Sequence, residues 1–184
     1  MVRITGILFE FCIIALIGFF AGCSAENLDE LETGRYGALF LGGIHDGNSG
    51  SALSGVGDVD GNGFDDILIG SPHVSSNATF NHGVVYLVYG KQLSNSDTDL
   101  TLSDLPTNPN WYGVVFIGYG DDSRCGEAVS PAGDFNNDGF ADFAFSCPGA
   151  DYYDNSTSIR SNAGVTYIMF GGNIPNATVY LDRL

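Results

Sequence analysis

The chain has 184 residues, with 22 Asp and Glu against 6 Lys and Arg and a formal net charge of -16. That balance excludes nucleic acid and anionic membrane surfaces as partners and points to cations. Hydrophobic residues at 44% and aromatics at 12% exclude a disordered acidic tail, and 26 glycines without a three-residue period exclude collagen. The composition is that of an acidic, folded, all-β chain of short strands and tight turns.

Residues Met1 to Ala25 differ from the rest. Arg3 supplies a positive start, Phe11 to Ala25 carries no charge, and small residues follow at Ala21, Gly22, Ser24 and Ala25. This layout reads as a secretory signal peptide over residues 1–25. Two other readings stay open. One is an uncleaved signal anchor, although Glu10 leaves the apolar run short of the roughly 20 residues of a membrane span. The other is a lipoprotein site at Phe20-Ala21-Gly22-Cys23, with Cys23 lipidated. In each case the remainder is exported, and residues 26–34 are a short linker. Export places Cys125 and Cys147 where disulfides persist. The sequons at Asn77, Asn155 and Asn176 are then candidate glycosylation sites, although a chain rich in Asn, Ser and Thr produces sequons by chance.

From residue 35 the chain repeats itself. Arg35 to Gly42 matches Trp111 to Gly118 at an offset of 76, as Tyr36 meets Tyr112. Gly83 to Gly90 matches Gly164 to Gly171 at an offset of 81, so five residues enter the second copy between Pro148 and Gly164. Repeat 1 covers 35–110. Repeat 2 covers 111–184 and includes the opening of a third, since Leu100 to Leu105 resembles Val179 to Leu184. The first copy predicts strands near Ala38–Leu41, Ser51–Val56, Asp66–Ile69 and Val84–Tyr89. A repeated unit of four short strands is a propeller blade. The matched aromatics, Tyr86 with Tyr167 and Tyr89 with Phe170, are assigned to packing between blades. Trp111, whose counterpart is Arg35, is assigned to packing in preference to ligand contact.

One nine-residue loop occurs twice. Asp58-Val59-Asp60-Gly61-Asn62-Gly63-Phe64-Asp65-Asp66 and Asp134-Phe135-Asn136-Asn137-Asp138-Gly139-Phe140-Ala141-Asp142 both read D-x-[DN]-x-[DN]-G-x-x-D. Calcium prefers six to eight oxygens in flexible geometry, and side chains at positions 1, 3 and 5 can converge on one ion. The first predicted site uses Asp58, Asp60, Asn62, the Phe64 carbonyl and Asp66. The second uses Asp134, Asn136, Asp138, the Phe140 carbonyl and Asp142. Asp65 is expected to point away, because Ala141 stands at its place in the second copy. A metal-free polar hairpin turn is the competing reading, and two copies at one spacing weigh against it. The loops are not EF-hands, since Ile69 and Phe145 occupy the twelfth position.

With its flanks Gly57-Asp58, Ile67 to Pro72, Gly133-Asp134 and Phe143 to Ala150, the loop resembles the FG-GAP repeat of the integrin α-subunit β-propeller, found also in secreted FG-GAP proteins. The resemblance covers Arg35 to Leu184. The tripeptides that name the family are altered here, to Leu41-Gly42, Ile117-Gly118 and Gly70-Ser71-Pro72. The resemblance implies an all-β propeller with Ca2+ in the hairpin loops and partner binding on the opposite face. It further implies a secreted or cell-surface protein for adhesion or protein–protein interaction, with an extracellular protein ligand or partner subunit. Closed propellers need about four blades. The chain is therefore expected to be an incomplete propeller: a fragment, or a piece that assembles with other chains, any membrane tether lying outside it. Two alternatives are the non-catalytic propeller part of a secreted hydrolase, such as a glycosylphosphatidylinositol-specific phospholipase D-like enzyme, and a carbohydrate-binding module. The latter predicts exposed aromatics on one face.

A hairpin about Asn136 sets Cys125 opposite Cys147, at positions held by Ser49 and Ser71 in the first copy. The readings are a Cys125–Cys147 disulfide or two free buried thiols. None of His45, His73 and His82 sits in a hydrolase or metal motif, and His45-Asp46 reads as a loop pair. The clustered aspartates fit calcium better than a glycosidase acid pair. The chain is expected not to be an enzyme.

Overall fold

The computed structural model describes residues 13–14, 38–92, 99–153 and 159–181. Apart from Ile13 and Ile14, the expected signal peptide, with Cys23, and the expected linker lie outside the described residues, as does the sequon residue Asn155. The strands in chain order are β1 (Ile13–Ile14), β2 (Leu39–Leu41), β3 (Ala52–Gly57), β4 (Asp66–Ser71), β5 (Val84–Val88), β6 (Asp99–Thr101) and β7 (Gly113–Ile117). There follow β8 (Val129–Gly133), β9 (Asp142–Cys147), β10 (Tyr152–Tyr153), β11 (Ile159–Arg160), β12 (Val165–Met169) and β13 (Ala177–Tyr180). A 3-10 turn spans Leu102–Thr107. No described helix is long and apolar enough to cross a membrane.

The strands form propeller blades. In the first blade β3, β4, β5 and β7 run as an antiparallel sheet, and β13 adds to the outer side of β7 in parallel. The second blade is β8, β9 and β12. The innermost strands β3 and β8 lie against each other. The four strands expected in the first copy all form, but the blade is not cut where the sequence repeat is cut. β7 opens repeat 2 and yet pairs with β5, Val84 opposite Ile117 through Val88 opposite Gly113. Sequence similarity fixes a period and leaves the phase open. Backbone hydrogen bonding decides the phase, because the free edge of β5 needs a strand and the next repeat supplies one. β2 repeats the pattern one unit earlier, pairing in parallel with β6 as β7 does with β13.

Burial follows from period-two alternation. On β5, Val85 and Leu87 enter one core with Leu68, Val114, Phe116, Phe143 and Phe145. Val84, Tyr86 and Val88 enter a second core with Phe40, Ile69, Leu100, Leu102, Leu105 and Trp111. The central strands β4, β5 and β7 of the first blade are therefore covered on both faces and read as nearly continuous apolar runs, while the inner strand β3 alternates and leaves Leu53 exposed. On β12 only Val165, Tyr167 and Met169 pack inward, while Thr166 and Ile168 are exposed.

This asymmetry corrects one expectation. Tyr86, Tyr89 and Tyr167 are packed, the Tyr89 hydroxyl donating to the Ile174 carbonyl across the blades at 3.0 Å. Phe170 does not pack between blades; it is 50% exposed and stacks on Phe135. Its face of β12 has no covering layer among the described residues. Trp111 is buried edge-on to Phe40, with the Lys91 ammonium over its ring.

Cys125 and Cys147 are joined by a disulfide that closes the second hairpin across a separation of 22 residues. At the matched positions of the first blade, the buried Ser71 hydroxyl donates to the Ser49 hydroxyl at 2.8 Å. One blade makes covalently the tie that the other makes by a hydrogen bond. Cys125→Ser with Cys147→Ser should cost about 3 kcal/mol, the loop-closure entropy of a link of this span. Chemical denaturation of the double variant against the parent reads this directly, and equal midpoints would exclude a stabilising bridge.

Candidate metal centre

Each candidate loop is the turn of the hairpin that starts its blade. Just before it, one extra residue bulges out of the inner strand. Val56 lies between the paired Gly55 and Gly57, and Ala132 between the paired Pro131 and Gly133. Gly57 and Gly133 take φ values of 79° and 71°, the left-handed geometry of a glycine bulge. The bulge bends the strand so that Asp58 and Asp134 turn into the loop. Position 6 is held by Gly63 and Gly139 at φ 90° and 93°.

Hydrogen bonds then wind the loop around its own carboxylates. The Asn62 amide donates to Asp58 Oδ1 at 2.9 Å and to Asp60 Oδ1 at 3.1 Å, and the Gly63 amide to Asp58 Oδ2 at 2.9 Å. The Phe64 amide donates to Asn62 Oδ1 at 2.8 Å. The second loop repeats this. Asp138 and Gly139 amides donate to the Asp134 carboxylate, at 2.9 and 3.0 Å, and the Phe140 amide to Asp138 Oδ1 at 3.0 Å. Asn136 joins through its side-chain amide on Asp138 Oδ2 at 2.7 Å.

Position 9 is the anchor. Asp66 and Asp142 are both fully buried. Asp66 accepts from the Val59 amide at 2.8 Å and from the Gly90 amide at 2.7 Å. Asp142 accepts from the Phe135 amide at 2.7 Å and the Gly171 amide at 2.8 Å. Each carboxylate thus ties its own loop to the chain just beyond the blade's third strand. Sequence reasoning assigned these aspartates to the metal shell and missed the tie. The signal was present in Gly90 and Gly171, which recur at the same offset as β5 and β12.

The first loop gathers its acids closely. Ligand oxygens of Asp58, Asp60 and Asp66 all lie within 4.8 Å of one another. Among the described residues this is the only such group of three acids; the second loop carries Asn136 at the place of Asp60. Asp58 and Asp60 are half-buried, whereas Asp134, Asn136 and Asp138 are exposed. The difference follows from packing: the second loop lies over the first, the Ala141 amide donating to the Asp58 carbonyl at 3.2 Å. Asp65 is exposed, outside the group.

Charge is unbalanced in the first loop. Burial pushes the Asp66 carboxyl up to about 6, and the Asp60 and Asp58 carboxylates add to that, while the Gly90 and Val59 amides oppose it. A carboxylate oxygen that accepts one amide still has a lone pair to offer. The arrangement is a hard-oxygen pocket with excess negative charge, the chemistry that a divalent cation fits.

The other expected sites are accounted for by position. Asn77 is exposed in the β4–β5 loop. Asn176 is exposed, its side-chain oxygen accepting from the Gly113 amide. His45 and Asp46 form an exposed pair at 2.8 Å.

Gly63→Ala and Gly139→Ala should each cost about 1–2 kcal/mol through backbone strain alone. A Cβ at either position meets no atom within 4 Å. Gly55→Ala is the control, since it too has open space and its φ is not positive. Thermal melts in chelator should rank the two loop variants below it, and three equal melts would refute the strained-loop account.

Comparison with known proteins agrees with this geometry. The FG-GAP repeat family model matches residues 49–88, which hold β3, the first loop, β4 and β5. Integrin alpha-PS2 of Drosophila melanogaster is 32% identical over 120 residues, 62% of this chain and 7% of that protein. Integrin alpha-PS3 of Drosophila melanogaster is 29% identical over 103 residues, 55% of this chain and 8% of its own length. Phosphatidylinositol-glycan-specific phospholipase D of Bos taurus is 29% identical over 128 residues, 66% of this chain and 14% of that enzyme. The chain thus spans a small part of the length of these relatives. With its bladed all-β architecture, the chain carries an FG-GAP repeat at residues 49–88 and resembles integrin alpha.

Proposed function

We propose that this chain is a calcium-binding, non-catalytic propeller segment that works outside the cell in adhesion or protein–protein recognition. The observation that carries the reading is the convergence of Asp58, Asp60 and Asp66 within 4.8 Å. Asp58, Asp60, Asn62, the Phe64 carbonyl and Asp66 would hold one ion, and Asp134, Asn136, Asp138, the Phe140 carbonyl and Asp142 a second. The ion supplies positive charge that cancels repulsion between the loop carboxylates. The chain's own residues do the rest. Asp66 and Asp142 fix each loop to the end of its blade, and the paired sheet carries that order to the opposite end. There the loops 72–83 and 118–128 form a surface for a protein ligand or partner subunit, the role that the integrin resemblance supports. An exported location is supported by the disulfide and by the leader-like residues 1–25.

A second reading rests on the phospholipase D relative: the same segment as the non-catalytic propeller of a larger secreted enzyme. Both readings share the calcium loops and differ in the partner.

Calcium at about 100 times its Kd should add about 2.7 kcal/mol per site, about 5.4 kcal/mol for the two, and raise Tm by roughly 10–20 °C over chelator. Asp58→Ala with Asp134→Ala should abolish that difference. If the parent melts identically in calcium and in chelator, the structural role fails. For adhesion, cells should attach to surfaces coated with the protein in calcium and detach in chelator. Attachment that ignores chelator would count against a calcium-ordered surface.

A further inference from the structure

In the first blade β7 closes the outer edge of β5, in antiparallel register from Val84 opposite Ile117 to Val88 opposite Gly113. β12 is the counterpart of β5, and among the described residues no strand pairs with its outer edge. The Tyr89 amide donates to the Tyr112 carbonyl and the Gly118 amide to the Gly83 carbonyl. By strand alternation Val85 and Leu87 turn their backbone groups to β7 as well. Thr166 and Ile168 hold the same places on β12, so theirs face the open edge. Such a row of donors and acceptors is a template for another strand.

The face beside that edge is exposed, residue by residue, where the first blade is buried. Val59, Val85, Leu87 and Tyr89 are buried in the core shared with the second blade. Their counterparts in the repeat are Phe135 at 65% exposure, Thr166, exposed, Ile168 at 43% and Phe170 at 50%.

A strand of the required type exists on this chain. β2 matches β7 at the repeat offset, Phe40 at the place of Phe116 and Leu41 at the place of Ile117. It already pairs in parallel with β6 as β7 does with β13. Phe40 packs into the second core as Phe116 packs into the first. On its other edge β2 meets the two-residue strand β1, which lies among the leader-like residues 1–25. β2 therefore has the neighbours of a fourth strand without a blade to close.

We propose that β12 of one copy takes β2 of a second copy, so that the chain associates head to tail. The repeat offsets set the register: Val165 opposite Leu41, Thr166 opposite Phe40 and Tyr167 opposite Leu39. The completed sheet, β8-β9-β12 of one copy with β2-β6 of the other, reproduces the order β3-β4-β5-β7-β13. The exchange trades the two-residue β1 for the five-residue β12. One contact changes. Asn137 stands at the place of Gly61, over which the Phe140 ring lies, so the Phe64 ring of the incoming copy turns aside. Closed propellers hold roughly four to eight blades, so two to four copies of a two-blade chain would close a ring. The inference goes beyond the adhesion reading and does not depend on the metal loops.

The test uses the protein recovered from a secreting host, in calcium. Sedimentation velocity should give the mass of two or more copies. Ile168→Lys should weaken the association about tenfold or more, because it buries an unpaired ammonium at the junction. Phe80→Lys makes the same change of charge at a position 63% exposed in the β4–β5 loop and should leave the association unchanged. A positive charge by itself favours association of so acidic a chain, so loss in the first variant alone reads the face and not the charge. Mixing Leu41→Cys protein with Val165→Cys protein should give a disulfide-linked pair on oxidation. Leu41→Cys with Ile168→Cys should not, since three residues of strand set the two about 10 Å apart. A protein that stays a single copy at every concentration overturns the proposal, as does equal behaviour of the two lysine variants. The calcium shift in Tm, read on the same samples, separates that failure from failure of the calcium reading.

Discussion

The fold turns on a carboxylate that is fully buried and must find partners. Asp66 and Asp142 occupy equivalent places, each at the first residue of the second strand of its blade. An ionised carboxylate in that position is expensive unless its oxygens are hydrogen-bonded. Each solves the problem in the same way, by accepting from its own loop, one amide at Asp66 and two at Asp142, and from one amide just past the third strand. The loop, the hairpin and the third strand are thereby fixed relative to one another. The solution is incomplete in the first blade, where Asp58 and Asp60 crowd the same space and the Asp66 carboxyl stays pushed up to about 6. The residual charge is the physical opening for a cation.

The two loops are not independent of each other. The Ala141 amide donates to the Asp58 carbonyl, and the Gly172 amide donates to the Val59 carbonyl at 2.7 Å. A Cβ on Gly61 would meet the Phe140 ring at 2.6 Å, so the position must stay bare for the second loop to lie over the first. Order in one loop thus limits the freedom of the next. Nearest-neighbour coupling of this kind is the general behaviour of repeat architectures. Here it acts through backbone hydrogen bonds at the loops themselves.

Much of this was legible in the sequence, and what was not has definite causes. The nine-residue loop was visible because its liganding types and glycine recur at fixed spacing. The strands were visible because apolar runs are separated by glycine turns. The blade boundary was hidden, since matching Tyr36 to Tyr112 gives a period and carries no information on which neighbour β7 will pair with. Phe170 was misassigned because its match to Tyr89 assumed that both aromatics have a blade beyond them, which only Tyr89 has among the described residues. The role of position 9 was hidden because a metal ligand and a backbone anchor are both satisfied by aspartate. Ser49 and Ser71 looked like an absence of cysteine; they are a second solution to the same contact.

The out-of-phase closure also explains how the two ends of the blade stay coupled while differing in chemistry. β7 begins beside the acidic loops and finishes at the opposite end of the blade, where Ile117 pairs with Val84 and the chain enters the segment 118–126. The same strand belongs by sequence to the second repeat and by hydrogen bonding to the first blade. The first blade therefore cannot complete its sheet until the second repeat is present, and the second repeat cannot place Cys125 without the turn that β7 delivers. The acidic loop end and the opposite end of the blade are joined by one continuous ladder. Its central strands β4, β5 and β7 are buried on both faces in the first blade. A sheet packed in this way transmits position well and permits little adjustment.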